Sequence, residues 1–200
     1  LHAHYYCDNK TTYNTYENKK KLRDQVSNTD HITKVIPRLE SFALASSGNI
    51  TKGVGIVGTN PDIENSITKL KNRVDTGSYF KSDADQGLLL GKDLASYLEV
   101  KVGDSIVLLS QGYHGITAAG EYAVRGILNF PAPEMNKQLI YMTLDAAQYF
   151  YAAENRLTSY SIMIDDSDEL NETFASLNEK LGEDYEIMKW DEMMVELKQQ

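Results

Sequence analysis

The sequence has 200 residues, a formal net charge of −9, 42% hydrophobic residues and 24% charged residues. These are the proportions of an ordinary soluble protein that is long enough to bury a substantial core. We expect no nucleic-acid partner, because the only compact basic run in this acidic chain covers residues 19–21. No apolar run approaches the ~20 residues that a membrane-spanning helix needs.

The single cysteine, Cys7, leaves no possibility of an intramolecular disulfide or a C-x-x-C motif. The chain begins at Leu1 rather than at methionine, and its first residues are typical of a strand. It stops at Gln200 inside an uncapped stretch, residues 190–200, that has the pattern of a helix. We therefore interpret the chain as a piece of a longer protein, and the lack of a membrane span here then says little about the parent.

The first part of the chain predicts alternating helices and strands. In chain order these are a helix at 15–27, a strand at 38–45 after Pro37, a strand at 50–59 and a helix that starts at Asn60-Pro61-Asp62. Four apolar residues at helical spacing predict the buried stripe of that last helix: Ile63, Ile67, Leu70 and Val74.

Residues 86–150 are richer in strands and glycines. The predicted elements are a strand in "QGLLLG", a helix in "KDLASYLEV", a strand in "KVGDSIVLLS", a glycine-rich connection "QGYHGITAAG", a strand in "EYAVRGILNF", a turn at "PAPEMN", a strand in "KQLIYMTL" and a helix in "DAAQYFYAA". We expect Asp145 to be the N-cap of the last of these.

The final part returns to a β-α-β pattern. The predicted elements are a strand in "TSYSIMI", a helix over residues 165–182 with an apolar stripe and Gly182 at its end, and a strand in "DYEIMKW". Leu170, Phe174, Leu177 and Leu181 form the stripe. The layout predicts a discontinuous outer subdomain, residues 1–58 and 154–200, interrupted by an insert at residues 59–153.

The stretch "KGVGIVGTNP" contains Gly53, Gly55 and Gly58 in the G-x-G-x-x-G spacing of a dinucleotide-binding loop. In that motif the helix starts among the glycines, so that its N-terminus meets the pyrophosphate. Here the apolar residues between the glycines continue the strand, and the helix signal arrives only at Pro61. The sequence therefore predicts glycines that allow close backbone approach in a strand, and no bound nucleotide.

Other clusters of reactive side chains have simpler explanations. His2, His4 and Cys7 lack a fourth ligand with suitable spacing, and His31 and His114 are isolated from any nucleophile. The acidic run at residues 165–169 lacks the glycine and distal glutamate of a calcium loop, and acidic residues suit a helix N-terminus. We interpret Asp83 and Asp85 as turn residues. The sequence predicts no catalytic residue, cofactor or metal, and we expect that the chain is not an enzyme.

Residues 88–109, "LLLGKDLASYLEVKVGDSIVLL", form a compact strand-helix-turn-strand unit. Gly103 should adopt a positive φ, and Asp104 should accept hydrogen bonds from the turn. This unit, followed by "EYAVRGIL", "QLIYMTLDAAQ", "TSYSIMIDD" and "YEIMKWDE", resembles the extracytoplasmic domain of bacterial FtsX-like/MacB-like ABC transporter permeases over essentially the whole chain. The resemblance implies an α+β fold of the MacB-type periplasmic core domain, a porter-like βαβ subdomain interrupted by a strand-rich (sabre-like) insert.

The resemblance also implies a setting. Such permeases sit in the bacterial inner membrane with this domain on the periplasmic side, and they work with a cytoplasmic ABC ATPase subunit and a second permease copy or paralogue. Within the family the chain is most similar to the lipoprotein-releasing permeases, in which a hairpin engages a periplasmic carrier or cargo protein. The matching segment here is residues 110–120, and the residues predicted to bind the partner are Gln111, Tyr113, His114 and Ile116.

Two other functions stay open at this point. The strand-rich middle is compatible with a barrel that binds a small molecule or catalyses a reaction, since V-G-D turns also occur in double-psi-type barrels. The second is a permease domain that regulates a cell-wall hydrolase during cell division. It would relay motion in the same way as the transporter domain but act on a different partner.

Overall fold

A long β-hairpin organises the fold in the computed structural model, which describes residues 2–3, 15–18, 20–182 and 185–187. Strand β3 (Ile32–Ser47) pairs with strand β4 (Ile50–Thr59) from Arg38 opposite Thr59 to Ser47 opposite Ile50. The predicted strand at 50–59 is confirmed. The strand predicted at 38–45 is longer and includes Pro37, which is tolerated because β4 begins to pair only at Arg38.

Six strands pair with one another in a ring. Besides β3 and β4 they are β6 (Leu88–Gly91), β7 (Ser105–Gln111), β8 (Thr117–Leu128) and β9 (Leu139–Thr143). Strand β4 pairs in parallel with β9, β9 with β6, β6 in parallel with β8, β8 with β7, and β7 returns to β3. All four of the strands β6–β9 correspond to strands that the sequence predicts.

Shorter strands extend the ring on both sides. Beside the first half of β3 they are β11 (Ser159–Ile164), β1 (His2–Ala3) and β12 (Tyr185–Glu186), while β5 (Val74–Gly77) pairs with β8. Strands β2 (Tyr16–Glu17) and β10 (Arg156–Leu157) form a separate pair. The predicted strands at the start of the chain, at 159–164 and at 185–186 are therefore confirmed, whereas residues 188–200 lie outside the described residues.

The main core lies where the ring strands face one another. Each of the six strands contributes inward side chains to one buried cluster, including Leu39, Ile56, Leu90, Ile106 and Ile140. Each is at most 1% exposed, and burying a side chain of this size stabilises the fold by ~1.5–3 kcal/mol. Two smaller clusters lie outside the ring, one under the first and last helices and one around Phe80 and Phe130.

Six helices connect the strands in the described part of the chain. They are α1 (Lys20–Ser27), α2 (Pro61–Thr68), α3 (Lys92–Tyr97), α4 (Pro133–Gln138), α5 (Leu144–Phe150) and α6 (Leu170–Leu181). None of the helices in these ranges is long and apolar enough to cross a lipid bilayer.

Helix α2 differs from its prediction. It ends at Thr68, Lys69 takes a left-handed conformation with φ of 56°, and Val74 belongs to β5. Ile63 is exposed, and the buried residues of α2 are instead Pro61 and Glu64. The predicted apolar stripe is only partly correct. Leu70 is buried, but Ile63 is not, because the Glu64 carboxylate is neutralised by an arginine and can be buried in place of an isoleucine.

Three smaller predictions about the helices are also corrected. Helix α5 is capped by the Thr143 hydroxyl, which accepts a hydrogen bond from the Ala146 N–H at 3.2 Å, and not by Asp145. The segment predicted as a turn at residues 131–136 contains helix α4, whose first turn is preorganised by Pro133. Helix α6 starts at Leu170 rather than at residue 165, and Leu170 is exposed.

Two turn predictions are confirmed. Gly103 has a φ of +96°, and the Asp104 carboxylate accepts a hydrogen bond from the Lys101 N–H at 2.9 Å. At the end of α6, Gly182 has a φ of +66°. Both positions use a backbone conformation that side chains with a Cβ disfavour.

The division of the chain into an outer subdomain (residues 1–58 and 154–200) and an insert (59–153) stays a prediction. The parallel pairing of β4 with β9 joins the two parts in one sheet, with Gly55 opposite Leu139 and Thr59 opposite Thr143. Any subdivision must therefore cross continuous hydrogen-bonded strands.

Candidate interaction site

The predicted partner-binding residues lie at the tip of the β7–β8 hairpin. Gln111 is the last residue of β7 and pairs with Thr117, so only residues 112–116 connect the two strands. The glycine-rich connection predicted over residues 111–120 is therefore shorter than expected. It closes because the Gly112 N–H donates to the Ile116 carbonyl at 2.7 Å.

Tyr113 ties the hairpin tip to the body of the protein. Its backbone N–H donates to the Tyr151 carbonyl at 2.7 Å, and its half-buried ring packs on the main core. The Arg156 guanidinium lies 4.3 Å from the ring centroid, within the range of a cation–π interaction. Much of the Tyr113 ring is therefore covered by the rest of the domain, and only part of it is available to a partner.

His114 and Ile116 project from the tip into solvent. The His114 ring centroid lies 4.0 Å from that of Tyr113, and His114 has a left-handed φ of 57°. Gln111 is also exposed. The structure thus brings the four predicted residues together on one short hairpin, and their role in partner binding stays a prediction.

An exposed apolar surface, which the sequence analysis missed, continues from the hairpin tip. We define it as the apolar face, and each of its five large side chains is between 45% and 52% exposed: Phe42, Leu44, Val107, Leu109 and Ile116. The strand register makes this surface contiguous, since Leu44 lies opposite Leu109 on the neighbouring strand. Contiguous exposed apolar side chains on a soluble domain are typical of an interaction surface.

The glycines of the G-x-G-x-x-G stretch shape the apolar face. Gly53 lies opposite Leu44 and Gly55 opposite Phe42, so β4 presents backbone where β3 presents large side chains. A Cβ placed on Gly53 would meet no atom within 4 Å. The result is a shallow groove of about 600 Å³ between the β3 side chains and the hairpin tip.

Charged side chains are almost absent from this surface. Side chains alternate between the two faces of a strand, so every second residue of the paired strands points to this surface. These positions are 42, 44 and 46 of β3, 51, 53 and 55 of β4, 105, 107, 109 and 111 of β7, and 117, 119, 121 and 123 of β8. Among these positions only Glu121 is charged. On a chain with a net charge of −9, this segregation marks the surface as one that excludes charge.

Hydrogen bonds beneath the apolar face hold it in shape. The hydroxyls of Tyr151 and Ser110 both donate to the Phe42 carbonyl, at 3.0 and 2.6 Å. Burial raises the pKa of the Tyr151 hydroxyl well above its usual range, so the group remains a neutral donor. The backbone that carries Phe42 is therefore fixed to both helix α5 and strand β7.

A buried ion pair locks the base of the hairpin to helix α2. Arg38 donates to both carboxylate oxygens of Glu64, at 2.7 and 3.0 Å, and the Thr59 hydroxyl donates to the same carboxylate at 2.9 Å. The Glu64 side chain has no exposed surface. Burial alone would lower the pKa of Arg38, but the carboxylates of Glu64 and Glu40 raise it, so the guanidinium stays charged.

A second buried carboxylate organises the loop before β6. Asp85 accepts hydrogen bonds from the Lys81 and Gly87 N–H groups and from Arg125, all at 2.8–2.9 Å. Burial alone would raise the pKa of Asp85, but these donors lower it below its ordinary value. The prediction that Asp85 is a turn residue is confirmed, and Arg125 on β8 is the partner that the sequence did not reveal.

The predicted acidic cluster has structural partners. The Asp165 carboxylate lies 3.1 Å from the His31 Nδ1 and accepts a hydrogen bond from it. This hydrogen bond raises the pKa of His31. Across residues 15–18, 20–182 and 185–187, no group of three His, Cys, Asp or Glu side chains could hold a metal ion. The side chains of His2, His4 and Cys7 lie outside the described part.

One signal in the sequence could have revealed the apolar face. The runs "SFALASS" and "SIVLLS" are apolar at both phases of the strand alternation, which normally indicates a strand buried on both faces. The structure buries only one phase, including Ala43, Ile106 and Leu108, and leaves the other exposed. The apolar residues at the second phase of the two strands therefore indicated an exposed apolar surface.

Two solved structures with a similar fold are extracytoplasmic parts of transporters. The extracellular domain of the noncanonic ABC-type transporter YknZ from Gram-positive bacteria superposes with a TM-score of 0.61 at 15% identity, covering 88% of this chain and 90% of that one. The periplasmic region of MacB from Actinobacillus actinomycetemcomitans gives 0.60 at 16% identity, covering 92% and 85%. At this identity the likeness defines the fold class, an α+β domain of the MacB periplasmic type.

The sequence itself assigns the family. Residues 8–180 match the MacB-like periplasmic core domain, and the chain belongs to this family. A curated relative, the lipoprotein-releasing system transmembrane protein LolE from Haemophilus influenzae, is 28% identical over 114 residues. That match covers 57% of this chain and 27% of LolE, so the chain spans about a quarter of the length of this relative. The predicted fold and the predicted resemblance are confirmed.

Proposed function

We propose that this chain is the periplasmic domain of an inner-membrane ABC transporter permease and that it transmits motion driven by ATP hydrolysis without an active site of its own. The observation that carries the proposal is membership of the MacB-like periplasmic core domain family over residues 8–180. In this proposal a cytoplasmic ABC ATPase hydrolyses ATP, and a second permease copy or paralogue completes the transporter.

The interior of the fold supports a mechanical role. A relay must move as one body, and the ring of paired strands, the packed core and the buried Arg38–Glu64 pair all oppose internal deformation. The alternative of a small-molecule-binding or catalytic barrel has less support. Its natural ligand site, the interior of the ring, is filled by side chains from all six strands.

The apolar face and the hairpin tip are the proposed contact with a periplasmic carrier or cargo protein. Ile116 belongs to both, and the tip adds the polar groups of Gln111 and His114 at its edge. An apolar centre with a polar rim is the usual anatomy of a protein–protein interface. The similarity to LolE favours lipoprotein release over peptide or drug export as the transport reaction.

Photo-cross-linking of the intact permease in its native envelope tests the proposed contact. We expect a photoreactive amino acid at Ile116 to give an adduct with a periplasmic carrier or cargo protein, because this side chain belongs to both the apolar face and the hairpin tip. The same amino acid at exposed Lys71, on a different part of the domain, is the matched control.

An adduct at position 116 and none at position 71 supports the proposal. Equal yields at both positions, or no adduct at position 116, contradict it. The identity of the adduct then separates the remaining alternatives, since a lipoprotein carrier, an export partner and a cell-wall hydrolase are different proteins.

A further inference from the structure

A group of lysines forms a pocket between helices α1 and α6, and it shares no lining residue with the groove of the apolar face. We call it the lysine pocket. Its volume is about 660 Å³, and it is lined by Lys20, Lys21, Asp24, Gln25, Asn28 and Lys180. The lining holds three positive charges and one negative charge, on a chain whose net charge is −9.

In the part of the chain that the structure describes, no carboxylate neutralises the three ammonium groups. Among the described residues, none of Lys20, Lys21 and Lys180 lies within 4.0 Å of a carboxylate oxygen. Lys180 is nevertheless held in place, because its Nζ donates to the buried Thr29 hydroxyl at 3.1 Å. That hydroxyl in turn donates to the Gln25 carbonyl at 3.0 Å. A fixed ammonium with a neutral partner retains its capacity to bind an anion.

Lys20 and Lys21 lie where the helix dipole makes positive charge unfavourable. They occupy the first turn of α1, which contains no acidic residue, although the positive end of the helix dipole favours negative charge there. A bound anion would offset both the dipole and the clustered lysines. Phosphate suits this arrangement, because lysine binds phosphate as a compact point charge and several ammonium groups can surround one phosphate.

We propose that the lysine pocket binds a phosphate group, carried either by an anionic lipid headgroup or by a soluble phosphate compound. The proposal does not depend on the apolar face or on its partner. If the pocket binds no phosphate, the proposed contact at Ile116 is not affected. If Ile116 gives no adduct, the proposal for the lysine pocket is not affected.

The test compares two triple variants of the 200-residue chain. In the pocket variant, Lys20→Gln, Lys21→Gln and Lys180→Gln remove the three charges. In the matched control, Lys71→Gln, Lys92→Gln and Lys101→Gln remove three other exposed lysines, so both variants have the same net charge. Thermal unfolding checks that both remain folded.

Binding is measured in two arms at 0.15 M salt. One arm follows backbone amide chemical shifts during titration with inorganic phosphate. The other measures sedimentation with vesicles of phosphatidylglycerol, with phosphatidylcholine vesicles as the uncharged reference. We expect the wild-type chain to bind in at least one arm and the control to retain this binding. The affinity of the pocket variant should be lower by a factor of ~10 or more, since each lysine near an anionic surface contributes substantially to affinity.

Phosphate-induced shifts confined to the pocket, without vesicle binding, identify a soluble phosphate compound. Vesicle binding that requires the pocket lysines identifies a lipid headgroup. Absence of wild-type binding in both arms overturns the proposal, and so does an equal loss in the pocket variant and the control, which would show that only net charge matters.

Discussion

Replacing Glu64 with glutamine should lower the free energy of unfolding by about 3–5 kcal/mol. The change keeps the volume of the side chain but leaves the buried Arg38 guanidinium without the carboxylate that contacts it at 2.7 and 3.0 Å. Glu40 lies 3.5 Å from Arg38 and offsets part of the loss. Equilibrium unfolding in urea measures the difference.

An exposed ion pair provides the control for Glu64. Glu134 and Lys137 lie 2.8 Å apart on helix α4, and both are largely exposed, so Glu134→Gln should leave the stability nearly unchanged. The double variant Arg38→Met/Glu64→Leu should recover most of the stability lost in Glu64→Gln, because it removes both charges and keeps the volume apolar. If Glu64→Gln and Glu134→Gln have equal effects, the buried pair does not lock α2 to the hairpin.

Replacing Gly58 with alanine should destabilise the fold by about 1–3 kcal/mol or more. A Cβ at this position would lie 2.3 Å from the Ala147 Cβ on helix α5 and 3.2 Å from the Leu39 carbonyl. Neither is the end of a flexible side chain, so strand and helix must separate. Urea unfolding again measures the effect.

Gly53 is the matched control, since it belongs to the same strand and the same sequence motif. A Cβ there meets no atom within 4 Å, and we expect Gly53→Ala to leave stability unchanged or to raise it by up to ~1 kcal/mol. Adding Ala147→Gly to Gly58→Ala should restore part of the lost stability by removing the clashing methyl group. Similar effects of Gly53→Ala and Gly58→Ala would contradict the account of this motif.

These two glycines explain why the motif resembles a dinucleotide-binding loop without being one. Gly58 is needed where helix α5 approaches the strand, and Gly53 leaves room in the groove of the apolar face. Both lie inside β4, and helix α2 starts only at Pro61. Spacing alone could not distinguish these roles from phosphate binding, because the distinction depends on which element packs against each glycine.

Local patterns predicted most of the fold. Every ring strand corresponds to a predicted strand, because alternation and turn residues are local signals that tertiary packing did not overturn. The burial of the two carboxylates was not predicted, because a distant residue decides it. Glu64 is buried because Arg38, 26 residues earlier, neutralises it, and Asp85 is held by Arg125, 40 residues later. No local pattern contains those partners.

The candidate site was predicted only in part. The hairpin tip could be located from its place after the V-G-D strand. Phe42 and Leu44 join it only through the pairing of β3 with β7, which lies about 60 residues further along the chain. The half-buried position of Tyr113 depends on Arg156 and Tyr151 in the same way. Sequence patterns identified the strands, and the register between them created the surface.

The most direct test of the central claim measures distances in the full-length permease dimer with its ATPase. After replacement of Cys7, the single cysteine of this chain, spin labels at Lys71 and Glu172 report the distance across one domain, and a label at Lys71 in both copies reports the distance between domains. We predict that the distance between domains changes between the nucleotide-free and ATP-bound states, while the distance within a domain stays constant. A constant distance between domains, or a change within one domain, would contradict a rigid domain that relays motion.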